Sequence, residues 1–165
     1  MHPQIVNLDQ VELPPLPPGA APTGSAAERY GPRVAMLGRQ IGARALGYNL
    51  IALAPGLRGF PFHSHRANEE AFLILSGQGE VRLGDQRHPI VAGDLIAAPA
   101  GGPDSAHQII NTGAVELRYL ALSTRLPLDI IDYPDTGKYR ALDEASGGFD
   151  VIGRHGGAVG YWDGE

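Results

Sequence analysis

Glycine and proline interrupt this chain so often that little room is left for long helices. The sequence holds 23 glycines and 14 prolines in 165 residues. Between Val34 and Thr124 they mostly bound short apolar runs, the pattern of an all-β chain. LGYNLIALAPG (Leu46–Gly56) reads as a strand ending in Pro-Gly, and AFLILSG (Ala71–Gly77) as a strand covered on both faces. GEVRLGDQRHPIV (Gly79–Val91) reads as two strands joined through Gly84-Asp85, a common hairpin turn. Gly93-Asp94 turns the chain into LIAAP, HQIIN ends at a Thr-Gly turn, and VELRYLALST (Val115–Thr124) is the longest strand candidate. Seven or eight strands at this spacing predict a barrel or jelly roll.

The flanks differ. PPLPPGAAPTG (Pro14–Gly24) carries five prolines, so it forms neither a helix nor a central strand. It reads as an extended arm lying on a surface or on a partner subunit. SAAER (Ser25–Arg29) is the place before the core where a helical turn fits. After Thr124 the chain is broken at Pro127, Pro134 and Gly137 and reads as irregular. Ile130, Ile131, Tyr133, Phe149, Tyr161 and Trp162 predict that it packs onto the barrel. The organisation expected is therefore an arm over 1–33, a barrel over 34–124 and a C-terminal extension over 125–165, around one core.

Composition narrows the function. Hydrophobic residues make up 43% and charged residues 19%, a globular balance. The net charge of −5 and the lack of a dense Lys/Arg stripe argue against a nucleic-acid partner. With no cysteine there are no disulfides, thiolate nucleophiles or iron–sulfur ligands. The N-terminus lacks the regions of a secretory signal, and no apolar run is long enough to cross a bilayer. A cytoplasmic protein without a membrane segment is expected.

Chemistry concentrates in HSHRANEE, residues 63–70. In a strand, residues i and i+2 face the same side about 6.6 Å apart, so His63 and His65 project in parallel. Neutral imidazoles of such a pair suit Mn, Fe, Ni, Zn or Co, and a carboxylate supplies charge. Glu70 opens the next strand, and the short loop RANE can fold it back toward the same point. Taken alone, the pair reads more readily as two surface histidines beside a charged loop. A second glycine-bounded segment, GDLIAAPAGGPDSAHQIINTG, delivers His107 and, four residues later, Asn111.

These two segments resemble the motifs of the cupin superfamily. The first runs glycine, HxH, a spacer, Glu, six residues, Gly; His63, His65, Glu70 and Gly77 fit it. The distance to Gly77 selects Glu70 over Glu69. Gly56 stands one residue too far ahead of His63. The second is matched by Gly93, Pro99, Gly101, His107 and Asn111, with five residues rather than two between Gly101 and His107. AHQIINTG, LRYLALST and the ending YPDTGKY…YWDGE resemble small bacterial single-domain cupins, some of which carry a sugar-phosphate isomerase label. The resemblance covers about residues 34–124. It implies a single-domain jelly-roll β-barrel and one divalent metal ion held by His63, His65, Glu70 and His107.

Other polar residues leave alternatives open. His2, His88 and His155 read as solvated. Glu69 either bonds a ligand imidazole or faces solvent, and Asn111 either orients His107 or caps a turn. Arg118 and Tyr119 alternate on one strand, so one of them faces inward. Gly77-Gln78-Gly79 lacks the helix and Lys-Ser/Thr of a phosphate loop, and Ser105 lacks a nucleophile elbow. Two readings follow. One is a metal-dependent enzyme acting on a small oxygen-rich molecule, a sugar derivative or a hydroxy or oxo acid, with isomerase-like or dioxygenase-like chemistry. The other is a non-catalytic small-molecule-binding or sensor module using the same ion. A homodimer is expected, joined through the N-terminal arm and edge strands.

Overall fold

The computed structural model describes residues 4–145 and 147–164. Twelve strands are present among them, and each helical segment is a single 3-10 turn. No helix of the described residues is long and apolar enough to cross a membrane. In chain order the strands are β1 (Arg33–Met36), β2 (Leu46–Leu53), β3 (Ser64–His65), β4 (Glu70–Ser76), β5 (Gln78–Leu83) and β6 (Gln86–Val91). They continue with β7 (Leu95–Ala98), β8 (His107–Ile110), β9 (Leu117–Thr124), β10 (Leu128–Tyr133), β11 (Lys138–Asp143) and β12 (Asp150–Arg154). The architecture is all-β and jelly-roll-like, as its punctuation predicts.

Three antiparallel sheets build the barrel, ordered β1-β2-β9-β4-β7, β12-β11-β10-β3 and β6-β5-β8. β9 alternates buried and half-buried positions, with Leu117, Tyr119 and Ala121 inward. Those side chains meet Ile51, Leu53, Phe72, Ile74, Val81 and Ile109 in the main core. Each apolar side chain fully buried there contributes about 1.5–3 kcal/mol. Arg118 points the other way, and its Nη2 donates to the Leu8 carbonyl at 3.1 Å. The inward member of the Arg118/Tyr119 pair is thus the tyrosine.

Turn chemistry appears where the sequence calls for it. Gly84-Asp85 joins β5 to β6, and Gly93, at φ +96°, precedes β7. Asp94 Oδ2 accepts from the Val91 amide at 2.8 Å and closes that second turn. Asn111 is fully buried and holds a loop: its Nδ2 donates to the carbonyls of Leu53 and Val115, and its Oδ1 accepts from the Gly113 amide. Asn111 therefore holds the turn at Gly113, and no contact with His107 is seen.

Both flanks are more ordered than their prolines imply. In the arm, Val6, Leu8, Val11 and Leu13 pack on Ala35, Leu37 and Leu50 of the same chain. Pro15 forms a bridge with Arg33, and the Val34 amide donates to the Pro14 carbonyl at 3.0 Å. Of the two places open to the arm, a surface or a partner subunit, the contacts seen are with its own barrel. The apolar stripe Val6-Leu8-Val11-Leu13 supplies burial that the neighbouring prolines do not forbid.

The C-terminal extension forms three strands. Pro134 starts a 3-10 turn and Gly137 ends it in the left-handed region at φ 62°, so both residues make the β10–β11 turn rather than break a strand. β10 pairs with β3 through Ile131↔His65 and Asp132↔Ser64, which docks the extension beside the histidine segment. Ile131 is buried, whereas Phe149, Tyr161 and Trp162 are exposed. The last two pack edge-on against each other at 4.7 Å instead of on the barrel.

Candidate metal centre

His63 precedes β3 and is bridged to His107 at the start of β8. Their backbones exchange two hydrogen bonds, His63 N to His107 O at 3.2 Å and the reverse at 2.8 Å. Directly opposed residues of an antiparallel pair project to the same side, and the two rings lie 4.6 Å apart. His65 follows on the same face, its ring 5.2 Å from that of His63. Glu70, the first residue of β4, brings its carboxylate among them.

The three Nε2 atoms converge on one oxygen. Glu70 Oε2 lies 2.9 Å from His107, 3.5 Å from His65 and 3.7 Å from His63. Neighbouring ligands on metal bonds of about 2.1 Å stand roughly 3.0 Å apart in an octahedron and roughly 3.4 Å apart in a tetrahedron. Ligand atoms of His63, Glu70 and His107 all lie within 4.8 Å of one another, a spacing that fits a shared ion. The donor set, nitrogen and oxygen without thiolate, suits a first-row divalent metal.

Partners behind the rings fix two of them. Nδ1 of His63 donates to the Pro61 carbonyl at 2.8 Å, and Nδ1 of His65 donates to Asp129 Oδ2 at 2.6 Å. A carbonyl and a carboxylate only accept, so both rings carry a proton on Nδ1 and turn Nε2 toward Glu70. Asp129 is itself locked. It accepts from the Ala67 and Ile130 amides and from Asn68 Nδ2, each at 2.9 Å. Burial raises its pKa, but the hydrogen bonds from Asn68, His65 and Ala67 outweigh that and hold it below the ordinary value. Nδ1 of His107, by contrast, is buried without a partner.

Charge at the centre is tuned by its neighbours. Burial first, and then the adjacent His107, pull the pKa of His63 from 6.5 down to about 4. Burial pushes Glu70 up, yet the hydrogen bond from His107 and the facing histidines win and leave it lowered. At neutral pH the centre holds a neutral His63 and an ionised Glu70, the forms that bind metal.

A cavity of about 250 Å³ opens onto these side chains. Its walls are largely apolar, with Ile51, Phe72, Ile109 and Ala121, and its polar groups include Gln108, Tyr119, Tyr133 and Arg140. Burial and nearby Glu70 raise the pKa of Tyr119, and burial raises that of Tyr133, so both phenols are donors at neutral pH. The ring of Tyr133 stacks on His63 at 6.2 Å.

Of the four residues singled out in the sequence, His63, Glu70 and His107 form the cluster that could share an ion, and His65 stands beside it with Nε2 3.5 Å from Glu70 Oε2. The five residues between Gly101 and His107 are absorbed by the 3-10 turn Pro103–Ser105, where Ser105 Oγ donates to the Gly102 carbonyl. Glu69 is exposed, and its backbone is tied to Thr124. His88 is exposed as expected, and His2 lies outside the described residues. His155 is exposed but contacts buried Asp132 at 3.3 Å, so it is not purely solvated.

Sequence reasoning missed Asp129, Tyr133 and Arg140. The available signal was LDIIDY, where two aspartates interrupt an apolar run; an acid there needs a buried partner.

Comparison with known proteins agrees with this geometry. A cupin domain model matches residues 49–123. A sugar phosphate isomerase of the cupin superfamily from Silicibacter pomeroyi superposes with a TM-score of 0.76 at 26% identity, covering 96% of this chain and 98% of that one. A candidate sugar phosphate isomerase from Acidithiobacillus ferrooxidans gives 0.74 at 26% identity, covering 90% and 92%. Auxin-binding protein 1 from Arabidopsis thaliana is 34% identical over 95 residues, 52% of this chain and 46% of that protein. The chain thus spans about half the length of the curated relatives it matches. Residues 49–123, which carry most of the barrel and its histidine–glutamate cluster, match a cupin domain, and the structural neighbours share its fold.

Proposed function

We propose that this cupin is a metal-dependent enzyme acting on a small oxygen-rich molecule, a sugar derivative or a hydroxy or oxo acid. His63, His65, Glu70 and His107 are the ligands of its ion. The observation that carries the reading is the convergence of three Nε2 atoms on Glu70 Oε2 at the end of a substrate-sized cavity. When bound, the ion supplies Lewis-acid chemistry to a substrate with adjacent oxygens, which suits isomerase-like or dioxygenase-like reactions. Pro61 and Asp129 hold two imidazoles in the binding tautomer. The apolar walls exclude water, and the phenols of Tyr119 and Tyr133 donate hydrogen bonds to substrate oxygens. The two structural neighbours with sugar phosphate isomerase names support the sugar branch of this class.

The test removes metal with a chelator, restores Mn, Fe, Ni, Zn or Co singly, and assays sugar phosphates and oxo acids. Turnover that returns with one metal and is lost in His107→Ala is the expected result. Inactivity across the whole panel overturns the reading.

A binding or sensor module is the second reading. What favours it is the scarcity of acid–base groups in the cavity outside the ligand set, where both tyrosines stay protonated. The partial likeness to an auxin-binding protein points the same way. A small molecule retained through purification and released unchanged on denaturation is its signature.

Homodimerisation completes the proposal. Met36 on β1 and Leu95 on β7, the outer strands of the five-stranded sheet, are left exposed and support it. Light scattering checks it directly: a dimer mass is expected, and a monomer mass rejects it.

A further inference from the structure

The register of the C-terminal strands puts three cations on one face. Tyr133 of β10 pairs with Lys138 of β11, which pairs with Arg154 of β12. One step along, Ile131 pairs with Arg140, which pairs with Ile152. Directly opposed residues share a face, and Ile131, Tyr133 and Arg140 line the metal cavity. Lys138 and Arg154 therefore stand on the cavity side of the sheet, next to Arg140. Lys138 Nζ lies 5.4 Å from the centre of the Tyr133 ring, the ring that stacks on His63.

This arrangement runs against local stability and against the charge of the chain. Like charges directly opposed across strands are destabilising, yet Lys138 and Arg154 occupy such a pair. The protein as a whole carries −5. Among the described residues, the ion pairs of these three cations reduce to Arg140 with Asp150, joined through Nε at 2.7 Å and Nη2 at 2.6 Å. Arg154 Nη1 meets only the Thr136 carbonyl, at 3.0 Å. Asp129 shares this face through Leu142 but is committed to His65, so Lys138 and Arg154 stand without an acidic partner among the described residues, an excess of about two positive charges at the outer end of the face. A phosphate monoester carries about −1.5 to −2 at neutral pH, a close match.

We propose that Lys138, Arg140 and Arg154 form a dianion-binding lip at the cavity mouth, which holds the phosphate of a substrate whose oxygen-rich end reaches the histidine–glutamate centre. This rests on the small-molecule reading of the cavity and assigns that molecule a terminal phosphate. Arg140 supplies the directional contact, Lys138 and Arg154 the field, and Asp150 keeps Arg140 placed until the anion arrives.

Phosphate titration of the chelator-treated full-length chain, followed by phosphorus NMR, isolates the lip from the metal. Saturable binding of inorganic phosphate is expected, weakening as salt rises, with acetate at least tenfold weaker. Arg140→Gln and the double variant Lys138→Gln/Arg154→Gln should each weaken phosphate about tenfold. Asp150→Asn should tighten it about threefold or more, because the competing carboxylate loses its charge; a purely structural ion pair predicts no gain. Because the titration is run without metal, failure of the metal reading and failure of the lip are separable. No saturable binding, acetate as tight as phosphate, binding as tight as in the unmodified protein in both lip variants, or no gain in Asp150→Asn overturns the proposal.

Discussion

Asp129 is worth more to the histidine–glutamate centre than its place behind the His65 ring suggests. Its Oδ2 receives the His65 Nδ1 proton at 2.6 Å, and its other acceptor positions are filled by Asn68, Ala67 and Ile130. Nothing is left to compensate if the carboxylate changes. In Asp129→Asn one side of the group becomes a donor facing donors. Outer partners of metal-bound histidine are typically worth 10–100-fold in metal affinity, so affinity should fall by roughly that factor. Leaving buried donors unpaired should also cost about 1–3 kcal/mol of stability. Competition with a chromophoric chelator reads the first effect and urea unfolding the second. Asp132→Asn is the control, since Asp132 serves Arg66 and His155 instead; unchanged metal affinity there, and loss in Asp129→Asn, is the expected contrast.

At the scale of elements, the two motif glycines make different demands. Gly77 joins β4 to β5 at φ +83°, where a Cβ would run into the Glu116 carbonyl oxygen and stand 2.9 Å from Leu117 Cα. Gly93 has φ +96° but nothing within 4 Å of its Cβ position. Gly93→Ala therefore meets only backbone strain, about 1–2 kcal/mol. Gly77→Ala adds a clash with backbone that cannot swing away, and should cost roughly 3 kcal/mol or more. Thermal unfolding of the two variants ranks them; equal losses would refute the argument. Gly77, Gly93, Pro99 and the HxH segment were legible because each acts within a few residues of itself, through turn geometry or strand alternation. Asp129 was not, because its contact with His65 spans 64 positions and depends on β10 docking against β3. The cationic face of β11 and β12 was hidden for the same reason: Lys138 and Arg154 become neighbours only through a register that Pro134 and Gly137 seemed to forbid. A surface seat for the arm was one of the two places legible in the sequence; the stripe Val6-Leu8-Val11-Leu13 that makes the contact was not, since it precedes the prolines that dominate the segment.

Over the whole molecule, the buried centre ties stability to pH when metal is absent. His63 in the folded chain titrates at about 4, against 6.5 when unfolded, because burial and His107 disfavour its cation. Between those values the unfolded chain binds the extra proton, so acidification favours unfolding. A gap of that size is worth on the order of 3 kcal/mol, absent above about pH 6.5 and fully expressed near pH 4. Glu70 adds to the same trend: its folded pKa is lowered despite burial, so its contribution is present above the ordinary carboxylate range and is lost as pH falls through it. Urea unfolding of chelator-treated protein at pH 7.5, 6, 5 and 4 should give a stability that falls monotonically, steepest between pH 6 and 4. His63→Gln removes the titrating imidazole and should flatten the part of the curve above pH 4.5, where Glu70 has yet to contribute. An unaltered slope in that variant would mean the acid sensitivity arises elsewhere in the chain, and that His63 is not held neutral by its surroundings.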